Sequence, residues 1–192
     1  MKDSDNTQML TKKEAVKEVE MTSKRIALLH LAYAKTLVNE LGSEKGKKVI
    51  LKAIKYYGKL IGEEVKKNVL DQGLETTPDN YGRRKSRDLP KYGMHARKET
   101  FETEGRKRRR SYGCVLGKLW REYDEEELGR LYCYVDLAKF MYYNPYFKLV
   151  HTKCMPERKD EECEFDILPT TEKEREDFFN EETDWTKIDR DV

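Results

Sequence analysis

The strongest constraint on the fold is a helical stripe. Val49, Ile50, Ala53, Ile54, Tyr57, Leu60, Ile61, Val65 and Val69 recur at i, i+3, i+4 and i+7, a period that fits an amphipathic helix and not a strand. Upstream, Ile26, Leu28, Leu29, Leu31, Ala32, Tyr33, Leu37 and Leu41 mark a second helix, and Gly42-Ser43 between the two supplies a stop and a cap. Gly73 follows as the stop of the later helix. Residues 22–73 therefore read as a helical hairpin. Between residues 26 and 34 the apolar positions run nearly round the circumference, so the first helix is expected to be buried on all sides.

Beyond the hairpin the pattern changes. Residues 74–95 contain Pro78, Gly82, Pro90 and Gly93 without a sustained period and read as a long loop, of the kind that often closes over a site. Weak alternation around Glu104-Gly105 predicts strands at 97–103 and 106–113. Helices follow at 114–123 and 125–142, the second broken by Asn144-Pro145. Segments 146–154 and 163–168 are β-like, with the charged turn 156–162 between them. The expected fold class is α+β: an N-terminal helical hairpin followed by β-β-α-α-β-β, with a four-stranded antiparallel sheet packed against helices. The expected organisation is a charged extension (1–21), a single domain (22–169) and an acidic tail (170–192) that wraps the surface or stays mobile. The domain divides into the hairpin 22–73, the loop 74–95 and the ββααββ unit 96–169.

Composition narrows the function classes. A chain of 192 residues suits one domain, and 40% charged against 37% hydrophobic residues argues against a membrane protein. No apolar run is long enough to span a bilayer, and the opening MKDSDNTQML has no export-type apolar stretch, so a cytoplasmic location is expected. Cys114, Cys133, Cys154 and Cys163 are then expected as free thiols. Charge is uneven: residues 83–110 hold twelve Lys/Arg against four Asp/Glu, while 170–192 hold nine acids against four bases. The run Arg106-Lys-Arg-Arg-Arg has the charge to grip phosphates. The net charge of only +2 and the scarcity of neighbouring aromatics speak against nucleic acid as the partner. A strand face solvated and partly neutralised by the tail is the plainer reading. Alternation also puts Arg106, Arg108 and Arg110 on one face, where one or two of them could bind an anionic substrate.

The chemistry concentrates in the 125–142 helix. Leu128, Leu131, Val135, Ala138 and Tyr142 form one stripe, with Cys133, Asp136, Leu137 and Phe140 opposite, so this helix is expected to be sandwiched. Cys133 and Asp136 are neighbours at i, i+3, and a carboxylate beside Leu137 and Phe140 needs a partner or a pocket. Either Cys133 packs as a small hydrophobe and Asp136 meets an arginine, or thiol and carboxylate face a cavity. Cys114, just after Gly113 and opening a helix, would have its thiolate favoured by the helix dipole. His151 and the four cysteines are enough ligands for zinc, but Cys-x-x-Cys and His-x-x-x-His are both missing, His151 and Cys154 are expected on opposite faces of a regular strand, and no cofactor is expected. His30 reads as a core histidine and His95 as an exposed one. The aromatic segment 142–147 is either core or the contact of a homo-oligomer.

Several of these residues sit in a pattern that resembles the L-2-amino-thiazoline-4-carboxylic acid hydrolase family. The similar stretches are Cys114-Val-Leu-Gly-Lys-Leu-Trp-Arg-Glu-Tyr, Glu127-Leu-Gly-Arg-Leu-Tyr-Cys-Tyr-Val-Asp, Asn144-Pro-Tyr-Phe-Lys-Leu-Val-His-Thr-Lys and Asp160-Glu-Glu-Cys-Glu-Phe. They cover about residues 95–168. The turn before Cys163, Arg158-Lys-Asp-Glu-Glu, lacks the glycine usual there. The resemblance implies hydrolytic opening of a C–N or C–S bond in a small cyclic substrate bearing a carboxylate. Such a reaction needs a nucleophile, a proton donor and a carboxylate clamp. Cys133 with Asp136, then Cys114, and His151 as proton carrier are the catalytic candidates; Cys163, Phe140, Arg106 and Arg108 are the substrate-binding ones. A weaker resemblance, to vinyl-reductase-type small-molecule-binding domains, implies a ligand sensor or accessory protein on the same scaffold.

Overall fold

The first helix starts where its end groups are satisfied. In the computed structural model, which describes residues 10–82, 93–103, 105–155 and 162–189, the Thr11 hydroxyl accepts the Glu14 N–H at 3.3 Å and the Glu14 carboxylate accepts the Thr11 N–H at 2.8 Å. This reciprocal cap lets α1 (Lys12–Leu41) begin well ahead of the apolar pattern. Gly42, at φ +80°, is the whole connection to α2 (Ser43–Leu70), a left-handed conformation that favours glycine. Ala27, Leu31 and Ala34 of α1 are buried, but Leu29 and Tyr33 are 57% and 65% exposed. The expectation of an all-round buried first helix is thus corrected: neighbours cover one side of α1, and its outward apolar residues have none.

The sheet follows the expected order closely. β1 (Arg97–Thr103) and β2 (Arg106–Tyr112) form an antiparallel hairpin. Two short helices come next, α3 (Val115–Glu122) and α4 (Glu126–Arg130). A 3-10 turn (Leu131–Tyr134) then leads into α5 (Val135–Tyr143), so the helix expected over 125–142 is made in three pieces. β3 (Phe147–Lys153) and β4 (Glu162–Pro169) complete an antiparallel sheet of order β1-β2-β4-β3. The fold is therefore α+β, with helices first and then a four-stranded antiparallel sheet packed with helices. Residues 83–92 of the expected loop, Glu104 and most of the 156–162 turn lie outside the described residues. No helix among the described residues is long and apolar enough to cross a membrane.

The last segment differs from a surface wrap. A second reciprocal cap, Thr171 with Glu174, starts α6 (Glu172–Phe179), and a 3-10 turn (Trp185–Asp189) follows. Phe178, Trp185 and Ile188 are buried in one core with Ile50, Ile54, Leu137 and Met141. The acidic residues of this stretch obscure three apolar anchors that close the core, and their burial is the reason it docks.

Position of α5 is set by glycine. Gly58 and Gly62 stand one turn apart on α2, and a Cβ at Gly58 would lie 2.4 Å from the Ala138 Cβ. At Gly62 it would lie 2.5 Å from the Lys139 carbonyl oxygen. The two glycines let α5 approach α2 at backbone distance, with the other side of α5 turned to β3. Gly58→Ala is expected to lower stability by about 1–3 kcal/mol through overpacking. Urea unfolding measures this, and an unchanged midpoint would contradict the packing.

Candidate active site

His151, on β3, carries an imidazole into the interior among charged groups. Its ring, 5% exposed, lies between two carboxylates: Nδ1 is 3.2 Å from Asp189 Oδ2 and Nε2 is 3.5 Å from Asp136 Oδ2. Asp189 also accepts the His151 backbone N–H at 2.7 Å, and the imidazole leans on the Phe165 ring at 4.9 Å. Burial disfavours the imidazolium, but the hydrogen bonds to Asp136 and Asp189 outweigh it and push the His151 pKa up to about 10. His151 is therefore held in its charged form at neutral pH. Asp136, on α5 and a quarter exposed, is also paired with Lys139. Burial alone would raise its pKa, yet Lys139 and His151 hold it below the ordinary carboxylate range.

The thiols converge beside this array. Cys154, Met155 and Cys163 form one buried cluster, with Cys114, Cys133 and Phe165 packed against it. Cys133 comes from the 3-10 turn ahead of α5, and Cys114 from the residue that caps α3 after Gly113, whose φ is +60°. By its spacing from His151, Cys154 was expected on the opposite face of the strand. A register shift between His151 and Lys153 resets the alternation. Cys154 and Cys163 are side-chain hydrogen-bond partners, and so are Cys133 and Cys154. All four cysteines are free thiols.

None of the four thiols is activated by its surroundings. The Cys154 hydrogen bond favours the Cys133 thiolate, but burial and the neighbouring thiols outweigh it and the pKa of Cys133 is raised. Burial raises Cys114 despite backbone N–H groups of Gly117 and Leu116, so the expected helix-dipole thiolate is corrected: desolvation exceeds the dipole. Cys154 is raised chiefly by its bond to Cys133, and Cys163 chiefly by its bond to Cys154. Slow iodoacetamide labelling of all four at neutral pH is expected, with fast labelling only after unfolding. Mass spectrometry reads this, and one quickly modified thiol would contradict the burial argument. Among the described residues, no three His, Cys, Asp or Glu side chains are arranged to hold a metal ion.

The other candidates lie elsewhere. Phe140, 2% exposed, stacks on Tyr81 at 4.2 Å within the core. Arg106 and Arg108 both reach Asp166, at 3.2 and 3.1 Å. Arg110 joins Glu99 and Glu164 at 3.3 and 2.6 Å. These arginines share a face, as alternation implied, but it is the face opposite Cys163 and Phe165. Their charge is met by β1 and β4 rather than by the tail. His30 is held in the core by the Leu128 carbonyl at 2.9 Å, with Trp120 and Tyr132 around its ring. His95 is half-buried, not exposed. In the 142–147 segment Tyr143 is buried and its hydroxyl donates to the Thr77 carbonyl, while Tyr146 is exposed. Sequence reasoning missed Asp189, Lys139 and the contact of Cys154 with the other thiols. Two surface depressions, one lined by Glu63, Lys66, Lys67, Leu70 and Asp71 and one by residues 41–45 and Lys48, hold neither thiol nor imidazole.

The fold thus sets an imidazolium clasped by two carboxylates next to clustered thiols on an α+β scaffold. The chain belongs to the L-2-amino-thiazoline-4-carboxylic acid hydrolase family, whose sequence profile matches residues 20–167. That span contains Cys114, Cys133, Asp136, His151, Cys154 and Cys163, and leaves out Asp189. No curated protein and no solved structure matches the chain.

Proposed function

We propose that this protein hydrolyses a C–N or C–S bond in a small cyclic substrate that carries a carboxylate, using a Cys/Asp site with His151 as its acid. Family membership supports hydrolysis, and the observation that carries the reading is the contact of His151 with Asp136 beside the thiol cluster. A raised thiol is a weak nucleophile unless its proton leaves as it attacks. Cys133 adds through sulfur to the sp² ring carbon while its proton passes to Asp136, three residues on. The ring opens as His151 gives a proton to the departing nitrogen or sulfur. Asp136 returns the proton to His151, and water releases the product and restores the thiol. Cys114 and Cys163 line the reacting sulfur. Four free thiols suit a reducing compartment, which favours a cytoplasmic location.

The test is direct. The full chain is incubated with L-2-amino-thiazoline-4-carboxylate and the mixture followed by mass spectrometry. A ring-opened product heavier by one water, without ammonia release, is expected. The raised thiols favour one competing reading, a small-molecule-binding sensor on the same scaffold. Binding of the ring without any turnover would replace the hydrolase by that reading.

A further inference from the structure

Arg106, Arg108 and Arg110 each have a carboxylate partner. The cations on the other face of the same hairpin do not. Strand register sets Lys98, Ser111 and Cys163 in one row across β1, β2 and β4, and Thr100, Arg109, Phe165 and His151 in the next. Directly paired residues share a face, and so do residues two apart on one strand. Lys98 and Arg109 therefore stand on the face that carries Cys163 and His151. Both are exposed, and among the described residues neither makes a side-chain hydrogen bond or ion pair. We propose that Lys98 and Arg109 form the anion-binding end of the site and hold the substrate carboxylate while its ring lies toward Cys163 and His151.

This assignment rests on the hydrolase reading for the identity of the ligand, but its observations are independent of the reaction. Lys98, Arg109, Lys139 and His151 bring four cations to the region, and Asp136 and Asp189 answer with two carboxylates. Burial of part of the Lys98 surface and the positive charge of Lys139 lower its pKa, with Arg109 contributing in the same direction. Asp136 acts the other way, but Lys139 and His151 already share it, so an anion bound at Lys98 and Arg109 would relieve the crowding of like charge. His95 adds a second sign. Its Nδ1 is buried without a hydrogen-bond partner, and burial together with Lys98 brings its pKa to about 4, so the ring is neutral and one polar atom is unsatisfied. A carboxylate against Lys98 would offset the charge that His95 feels.

The test compares two rings that differ only in the anion: L-2-amino-thiazoline-4-carboxylate and 2-amino-thiazoline. Lys98→Gln and Arg109→Gln change exposed strand residues and should leave the circular-dichroism melt in place. Each is expected to raise KM for the carboxylate by about 10- to 100-fold, the range of a charge-assisted hydrogen bond, with kcat within a few-fold. Activity on 2-amino-thiazoline should be unchanged. Equal losses on both rings, or an unchanged KM for the carboxylate, would overturn the assignment. If the wild-type chain opens neither ring, the hydrolase reading fails and calorimetry decides the anion site by itself. Tighter wild-type binding of the carboxylate than of 2-amino-thiazoline, lost in the doubly substituted chain, then upholds the site. Equal binding of the two rings, or none, refutes it.

Discussion

Replacing Asp136 with asparagine is expected to lower kcat for ring opening by about 10²–10⁴-fold, the span of general acid–base catalysis, with little change in KM. The substitution keeps the shape of the side chain and removes its charge. Two partners lose their counterion together: Lys139, bonded to Asp136, and His151, 3.5 Å away. Cys133 loses the acceptor for its proton. His151 loses one of the two carboxylates that hold its pKa near 10, so the alkaline limb of the rate profile should move to lower pH. The limb is set by an acid that must be protonated, and rate is therefore lost as pH rises past its pKa. Steady-state kinetics across pH measure both effects. A variant that keeps full kcat would remove Asp136 from the mechanism.

Asp189→Ala is expected to cost about 3–5 kcal/mol of stability, the penalty of leaving a buried charge without its partner. Asp189 is nearly fully buried, and it satisfies both the backbone N–H and the ring Nδ1 of His151. The same pair makes stability depend on pH. Because the folded His151 pKa is raised from 6.5 to about 10, its stabilisation is complete below 6.5 and is lost as pH rises toward 10. Urea titrations at several pH values should show the wild type weakening through that window. Asp189→Ala should begin lower and fall less steeply. Identical slopes in the two chains would deny the pairing.

Much of the sheet was readable because local signals agree there. Glu104-Gly105 and Asn144-Pro145 mark breaks, and the strands and helices between them fall within a few residues of their expected limits. Cys133 and Asp136 were legible as neighbours because i, i+3 proximity survives the change from a 3-10 turn to a helix. Asp189 was not, since it meets His151 across 38 positions and lies in a stretch whose acidity reads as solvent-exposed. Cys154 was misdirected by strict alternation, which a bulge interrupts. Lys98 was lost in a run of charge, because composition does not say which face of a strand is already neutralised. Gly58 and Gly62 were a signal available but unread: two glycines one turn apart inside an apolar helix allow another backbone to come close.

Whether Asp136 and Asp189 hold His151 charged, as ring opening requires, is read most directly by ¹⁵N NMR titration of its imidazole. Two protonated ring nitrogens are expected through neutral pH and into the alkaline range, with the proton lost at about 10. A ring that titrates near the ordinary 6.5 would contradict it, because the two carboxylates would then not be holding the proton on which ring opening depends.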